Sequence, residues 1–241
     1  MTDPTGTSGG EPNIGIPESA ESPDDLRAVD GRVPGRRGMA TRQRLLEHTS
    51  LLLETTSYRD LKVVDIAREA GTSPATFYQY FPDAESALLA LADGLVGEGG
   101  ERLIRPLREA TWHGQQAYEA CQEIATAFLD FWADHSALMA VIDLAALEGD
   151  QRFRGCRTQL LNKFTVAATK VIARQREAGF APEEVDPEAT AVVLVSMLSH
   201  VAAHQSGITQ AGVPVEALSR SMAHLIYTGV TGQAPPANDP S

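Results

Sequence analysis

The sequence has little cysteine and no long uncharged apolar run, and both absences narrow the class of protein. Two cysteines, Cys121 and Cys156, occur in 241 residues, which is too few for a disulfide framework and fits a reducing compartment. The longest uncharged apolar stretch, residues 189–201, is shorter than the roughly 20 residues that cross a bilayer. The polar, glycine-rich start holds no apolar signal core. These absences predict a cytoplasmic protein with no membrane partner.

Basic charge is also scarce, except in one stretch. The net charge is -12, yet residues 31–82 hold eight bases against five acids. Phosphates are repelled by an acidic surface, and counterion release needs clustered cations. If nucleic acid is bound, this is the stretch suited to it.

The apolar residues recur at helical spacing, and no run alternates convincingly with period two. The chain is therefore predicted to be all-α between two disordered tails, residues 1–38 and 232–241, in which Pro, Gly, Ser and Asp are frequent. Predicted helices cover residues 41–54, 63–69, 74–80 and 84–96, and several longer ones follow. The last two span residues 186–207, closed by Gly207, and residues 214–230.

Residues 63–81 carry the pattern of two short helices that cross at a steep angle. Ala67 is small where the second helix passes, and Gly71 suits the left-handed backbone of the turn. Ser73 followed by Pro74 begins the second helix. An outward face is then predicted for Thr76, Tyr78 and Gln79, whose hydroxyls and amide can bond phosphates and base edges. The alternative is an ordinary helical hairpin within a bundle.

Four cations precede or open the first predicted helix, with no acid between residues 35 and 46: Arg36, Arg37, Arg42 and Arg44. A flexible basic arm beside a recognition helix suits a minor groove or phosphate contact. The alternative is a solvated linker that only aids solubility.

Residues 41–96 resemble the DNA-binding domain of the TetR family of transcription regulators. The resemblance lies in Arg44-Leu45-Leu46, in the run DIAREAG at residues 65–71, and in SPATFYQYF at residues 73–81 followed by Asp83 and Glu85. It implies an N-terminal three-helix domain with a helix-turn-helix, then a helical ligand-binding and dimerisation domain. A lysine common in the family shortly after the recognition helix is Ala84 here, which leaves a phosphate contact missing or moved to the arginines. The residues implied to face DNA, together with the basic arm, are Arg36, Arg37, Arg42, Lys62, Thr72, Ser73, Ala75, Thr76, Tyr78, Gln79 and Tyr80.

After residue 96 the chain turns apolar and acidic, with Gly94, Gly97, Gly99 and Gly100 close together. Each glycine inside a helix costs about 0.5 to 1 kcal/mol relative to alanine, so we expect a bend or break there. The connection is either a simple loop or, as the resemblance implies, the flexible end of a helix that joins sensor and head. The domain boundaries are accordingly set at 39–84, with a connecting helix 84–96, and 97–231.

Aromatic and apolar side chains cluster in the middle third of the chain. They indicate either plain core or, as the resemblance implies, a pocket for a small apolar or acyl-type effector. Its polar contact would come from His113 or His135. The candidate ligand-binding residues are Trp112, Tyr118, Phe128, Phe131, Trp132, Leu138, Met139, Ile142 and Phe164.

The last two predicted helices carry more apolar side chains than the rest of a single chain could cover. This surplus predicts a homodimer in which a second copy covers them. The interface candidates are Val192, Val195, Leu198, Val201, Leu218, Met222, Leu225 and Ile226. His200 and His204 have the spacing of metal ligands, but no third ligand is near in sequence, so interface packing is preferred and no metal or cofactor is expected.

The function expected from these patterns is a repressor that a small ligand releases from double-stranded operator DNA. An activator or a corepressor-dependent regulator of the same fold stays open, as does a helical dimer that binds another protein through its basic head. An enzyme with a Cys121 or Cys156 nucleophile is the remaining rival, although no catalytic signature surrounds either cysteine.

Overall fold

The computed structural model describes residues 35–180 and 185–236, and within these ranges the regular structure is helical throughout. The all-α prediction is therefore confirmed. A short 3₁₀ helix, Tyr58–Asp60, lies between the first two α-helices. The α-helices in chain order are α1 (Arg36–Leu53), α2 (Val63–Glu69), α3 (Pro74–Tyr80), α4 (Ala84–Glu109), α5 (Gly114–Asp134), α6 (Ser136–Leu147), α7 (Gln151–Glu177), α8 (Pro187–Gln210) and α9 (Val215–Thr231).

Several helix starts carry a side-chain cap, among them the predicted one at Ser73. The Ser73 side chain accepts from the Thr76 N–H at 3.1 Å, and the Asp83 carboxylate accepts from the Ser86 N–H at 2.7 Å. Asp186 does the same for Ala189 at 2.7 Å. Each cap satisfies one of the backbone donors that a helix leaves open at its N-terminus.

The first helix begins earlier than predicted. α1 starts at Arg36 rather than at residue 41, so Arg36 and Arg37 occupy its first turn and are not part of a flexible arm. The Met39 N–H donates to the Gly35 carbonyl at 2.9 Å, and nothing between residues 36 and 41 lacks an amide proton. One glycine, Gly38, costs only about 1 kcal/mol there and does not stop the helix. The predicted N-terminal tail up to residue 34 lies outside the described residues.

The glycine-rich segment after residue 93 does not break the chain. α4 runs unbroken from Ala84 to Glu109, so the predicted helix end at residue 96 is wrong. Gly99 and Gly100 are buried because α4 packs there against α5 and α7. A Cβ on Gly99 would lie 2.3 Å from Leu160 Cδ1 and 2.6 Å from Phe131 Cζ. The close approach of the helices outweighs the low helix propensity of glycine.

The last two helices end near the predicted positions, with one correction. Gly207 lies inside α8, which continues to Gln210, and Gly212 with a φ of 99° takes the left-handed position instead. α9 ends at Thr231 and is capped by Gly232, whose φ is 67°, at the start of the predicted C-terminal tail. Residues 237–241 of that tail lie outside the described residues.

α8 is the most apolar long helix of the described part. By length and composition it could cross a membrane, yet only 33% of its most apolar window is buried within the protomer. Many residues of this apolar helix are therefore only partly buried or exposed within the described part of the chain.

Candidate nucleic-acid interface and sensor groove

The α2–α3 hairpin is held by a small, fully buried core. Ile66, Ala67 and Phe77 are each 0% exposed. Gly71 turns the chain with a φ of 63°, and the Thr72 N–H closes the turn on the Ala67 carbonyl at 2.8 Å. The hairpin thus has the predicted helices and turn, and α3 lies on the outside of the unit formed by α1, α2 and α3, which is called the head.

The outer face of α3 is open to solvent. Ala75, Tyr78 and Gln79 are exposed, and Tyr78 keeps 51% of its surface. Thr72, Thr76 and Tyr80 are half-buried. The Ser73 and Thr76 hydroxyls lie 3.0 Å apart and bond each other, so Ser73 acts first as the cap of α3. Every candidate residue of α3 and its turn is therefore at least partly exposed to solvent.

The cationic candidates divide into two groups. Arg36, Arg37 and Lys62 are exposed on the head. Arg42 instead lies over the Phe81 ring, 5.1 Å from its centroid, where a cation–π contact holds it against the protein. Arg42 is thus half-buried in the head and is not part of an extended arm.

The aromatic cluster of the middle helices is a packed core. Phe128 stacks on Trp132 at 5.7 Å between ring centroids and meets Phe164 edge-on at 5.0 Å. Phe128 and Phe131 are 0% exposed. The other candidates are buried in the same core, apart from the half-buried Trp112. The space in which a pocket was expected is therefore filled by the rings themselves. Stacked and edge-to-face pairs at these distances are in direct contact.

A cavity of about 640 Å³ lies beside this core, between α5, α6, α7 and α8. Trp132 lines this cavity together with Arg154 and Arg157. The two arginines were not predicted from the sequence, because charged residues on a helix usually face solvent. A second cavity of about 290 Å³ shares Trp132, Asp143 and Ala203 with the first and includes Met139. The two together are called the sensor groove. Its polar lining residues in the larger cavity are Asp143, Arg154, Arg157, Thr158, Ser199, His200 and His204.

The two histidines proposed as polar contacts lie elsewhere. His135 Nε2 is 3.2 Å from Glu98 Oε1, between α5 and α4, and its ring packs on Phe131. His113 packs on Phe180. His200 and His204 are adjacent, with ring centroids 4.2 Å apart, but no group of three potential metal ligands occurs among residues 35–180 and 185–236.

The predicted interface residues separate by burial. Val195, Leu198, Met222 and Ile226 belong to the core, so they offer little or no surface to a partner. Val201 and Leu218 are half-buried, whereas Val192 and Leu225 are 47% and 50% exposed. The exposed neighbour Val193, at 67%, was missed because an almost wholly apolar helix gives no period from which to assign its faces.

Both cysteines are poor nucleophiles. Burial raises the pKa of the Cys121 thiol to about 12. Burial, with the nearby Asp93 carboxylate, raises that of Cys156 to about 12, and its Sγ donates to Asp93 Oδ1 at 3.3 Å. Both remain protonated near neutral pH, which weakens the interpretation as a cysteine enzyme.

The turn between α6 and α7 contacts the head. Tyr58 donates to Glu148 Oε2 at 2.9 Å, and Arg59 pairs with the other oxygen of the same carboxylate. Arg152, at the start of α7, donates to Glu85 of α4 at 2.5 Å. Its guanidinium also lowers the pKa of Asp150. Nothing in the sequence pattern joins residues 58 and 148, so this contact could be found only in the fold.

Comparison with known proteins gives matches in both parts of the chain. The family model described as "Bacterial regulatory proteins, tetR family" matches residues 45–91, and "Tetracyclin repressor-like, C-terminal domain" matches residues 103–237. The HTH-type transcriptional regulator EthR of Mycolicibacterium smegmatis is 28% identical over 191 residues, which are 79% of this chain and 86% of that protein.

Solved structures share the fold. FadR from Bacillus halodurans, a fatty acid degradation regulator, has a TM-score of 0.63 at 18% identity and covers 83% of this chain and 98% of its own. FadR from Bacillus subtilis, solved in complex with stearoyl-CoA, has a TM-score of 0.61 at 18% identity and covers 78% of this chain and 98% of its own.

Proposed function

This chain belongs to the TetR family of bacterial transcription regulators, and we propose that it is a homodimeric repressor that a small ligand releases from its operator. The single observation that carries the proposal is the exposed face of α3. It presents hydroxyl and amide groups on a helix whose opposite side is locked into the head by Phe77. Residues up to about 84 are proposed as the DNA-binding head, and residues 97–231 as the sensor and dimerisation part.

The DNA contacts are proposed in two classes. Ala75, Thr76 and Gln79 face the bases, because an amide and a hydroxyl can read donor and acceptor patterns in the major groove. Tyr78, Tyr80 and the cations hold phosphates, which fixes the register but not the sequence. The proposed backbone contacts, with the turn before α3, are Arg36, Arg37, Lys62, Thr72, Ser73, Tyr78 and Tyr80.

A second copy of the chain is proposed to cover α8 and α9. Val192, Val193 and Leu225 expose apolar surface, and α8 carries one acid, Glu188, and no Lys or Arg over its whole length. Such a face is costly to leave in water, and a twofold pair of these helices would bury it. The two α3 helices would then enter successive major grooves, roughly 34 Å apart.

Release by ligand is proposed to act through α4 and the α6–α7 turn. α4 begins in the head and ends in the sensor part, and Glu148 holds Tyr58 and Arg59. A ligand that prefers a different arrangement of α6 and α7 lowers DNA affinity by its differential affinity for the two arrangements. An apolar or acyl-type ligand is proposed, supported by the stearoyl-CoA bound to the Bacillus subtilis FadR, which shares the fold.

A cytoplasmic location follows from this role, and no enzymatic activity is proposed. The relatives are regulators, and the raised pKa values of Cys121 and Cys156 remove the thiolates that a cysteine nucleophile needs.

The test is selection of a binding site from a random duplex pool, followed by anisotropy titrations of the selected and a scrambled duplex. Replacing Thr76 and Gln79 by alanine (T76A/Q79A) should reduce the preference for the selected duplex by about ten- to hundredfold. Binding to the scrambled duplex should stay nearly unchanged, because the phosphate contacts remain. The helix itself should survive, since Ser73 caps α3 through the Thr76 backbone N–H.

Gln115→Ala on α5 is the matched control, because it removes an exposed amide from the sensor part. It should alter neither titration. Recovery of no common sequence, or equal loss on both duplexes in the α3 variant, would contradict base reading by α3.

A further inference from the structure

We propose that the sensor groove binds an amphiphile through its anionic group, a carboxylate or a phosphate, at Arg154 and Arg157. The inference rests on the proposed function, because it assigns the chemical class of the effector. It also assigns the ligand to the cavity beside the aromatic core, because the core itself is filled by side chains.

The lining of the larger cavity has more cations than acids, unlike the chain as a whole. Arg154 and Arg157 are the two cations that line the larger cavity, and Asp143 is its one carboxylate. The chain as a whole carries a net charge of -12. Cations gathered in a concave site attract an anion there, whereas the acidic remainder of the protein repels it.

The internal partners of the two arginines leave donors unused. Arg157 Nε donates to Asp143 Oδ1 at 2.8 Å, and one Nη of Arg154 donates to the Ala146 carbonyl at 3.2 Å. A guanidinium carries five N–H groups. The remaining groups can donate to a carboxylate or phosphate oxygen in the paired geometry that arginine favours.

Trp132 supplies an independent observation. It lines both cavities and is only 4% exposed. Its Nε1–H has no hydrogen-bond partner within the described part of the chain. An unpaired buried donor costs about 1 to 3 kcal/mol, and a ligand oxygen in the groove would remove this penalty.

The smaller cavity fits the other end of an amphiphile. Its lining is mostly small or apolar, with Ala133, Met139, Ala140 and Ala202, and Asp143 is again its one charged residue. The cavities share Trp132, Asp143 and Ala203, so one molecule can place its apolar chain in the smaller cavity and its anionic group in the larger one. The larger cavity, about 640 Å³, lies in the range typical of small-molecule sites, and the smaller one, about 290 Å³, lies just below its lower bound.

The experiment uses tryptophan emission of the full chain without DNA. The chain has two tryptophans, so Trp112→Phe leaves Trp132 as the reporter. The probes are laurate, dodecyl phosphate and uncharged dodecanol, each below its micelle concentration. We expect saturable binding of at least one anion, with affinity about tenfold or more above that of dodecanol. The two anionic arms show whether a carboxylate or a phosphate is preferred.

Two arginine variants in this background locate the site. Arg154→Gln with Arg157→Gln should weaken the anion by about tenfold or more and leave dodecanol unchanged. Arg174→Gln, an exposed arginine on the same helix, should change neither. If thermal unfolding shows that the double variant does not fold, Arg157→Gln alone serves, with an expected loss of about threefold or more.

Equal affinity for anions and dodecanol, equal effects of the groove variant and Arg174→Gln, or no binding of either anion would overturn the proposal. Since binding is measured without DNA, a chain that takes up the anion and selects no operator contradicts only the proposed function. A chain that selects an operator and ignores both anions contradicts only the groove.

Discussion

Gly97 and Gly99 lie two positions apart on α4 but in opposite surroundings. A Cβ on Gly99 would collide with Leu160 and Phe131 at 2.3 and 2.6 Å. Gly97 is exposed, and nothing lies within 4 Å of its added Cβ. Gly99→Ala should lower the free energy of unfolding by about 1 to 3 kcal/mol through overpacking. Gly97→Ala should raise it by about 0.5 to 1 kcal/mol through helix propensity.

Urea denaturation of the two variants at one temperature measures both effects, and each variant is the control of the other. Opposite signs are the expected outcome. A gain in both would mean that α4 is not pressed against α5 and α7 at Gly99, and that this segment is as loose as its glycine content suggests.

The local sequence pattern was sufficient to predict the surroundings of some residues and insufficient for others. The exposed face of α3 was predictable, because Phe77 and its neighbours mark the buried side within one helical turn. The place of Arg42 was not, because its contact with Phe81 joins residues that are far apart in the sequence. The same holds for Arg154 and Arg157, which line a groove only after α6, α7 and α8 have packed together.

At the scale of elements, boundaries set by caps were predictable. Both α2 and α3 have the expected bounds, since Ser73, Pro74 and Gly71 specify them locally. The length of α4 was not, because its glycines lower the intrinsic propensity while the packing of Gly99 decides the outcome. Tertiary contact outweighs propensity in such segments.

The α6–α7 turn is one of the elements that contact the head from the sensor part. Glu148→Gln removes the charge that holds Tyr58 and Arg59. Exposed pairs of this kind stabilise by about 0.2 to 1 kcal/mol, so amide hydrogen exchange at residues 58–70 should accelerate by about two- to fivefold. Hydrogen exchange with mass spectrometry on the free protein measures this change.

Glu177→Gln is the control for that experiment, because Glu177 is an exposed acid at the far end of α7. Its exchange pattern at residues 58–70 should equal that of the parent protein. Equal patterns in both variants would show that the Glu148 contact is a surface pair without influence on the head.

At the scale of the whole molecule, the sequence indicated that α8 and α9 hold surplus apolar surface but not which side chains face outward. Val195 and Leu198 turn inward, whereas Val192 and Val193 are exposed. On a helix that is apolar on nearly every side, composition predicts the existence of an interface, and only the packed protomer identifies its face.

Leu225 and Leu51 offer a matched test of that interface. Their exposed fractions are similar, 50% and 55%, but Leu225 lies on α9 and Leu51 on α1. Leu225→Asp should convert the dimer to a monomer in sedimentation velocity, because a desolvated carboxylate opposes burial of the apolar face. Leu51→Asp should leave the dimer intact.

The same pair of variants links assembly to DNA binding. A monomer reaches one half-site, so it loses the gain that comes from holding two sites at once, which is about a hundredfold or more. Leu225→Asp should therefore weaken binding to the selected operator by this factor in anisotropy titrations, while binding to an isolated half-site stays unchanged. Leu51→Asp should match the parent protein on both duplexes. A Leu225→Asp protein that remains dimeric and binds the full operator normally would place the partner surface away from α9.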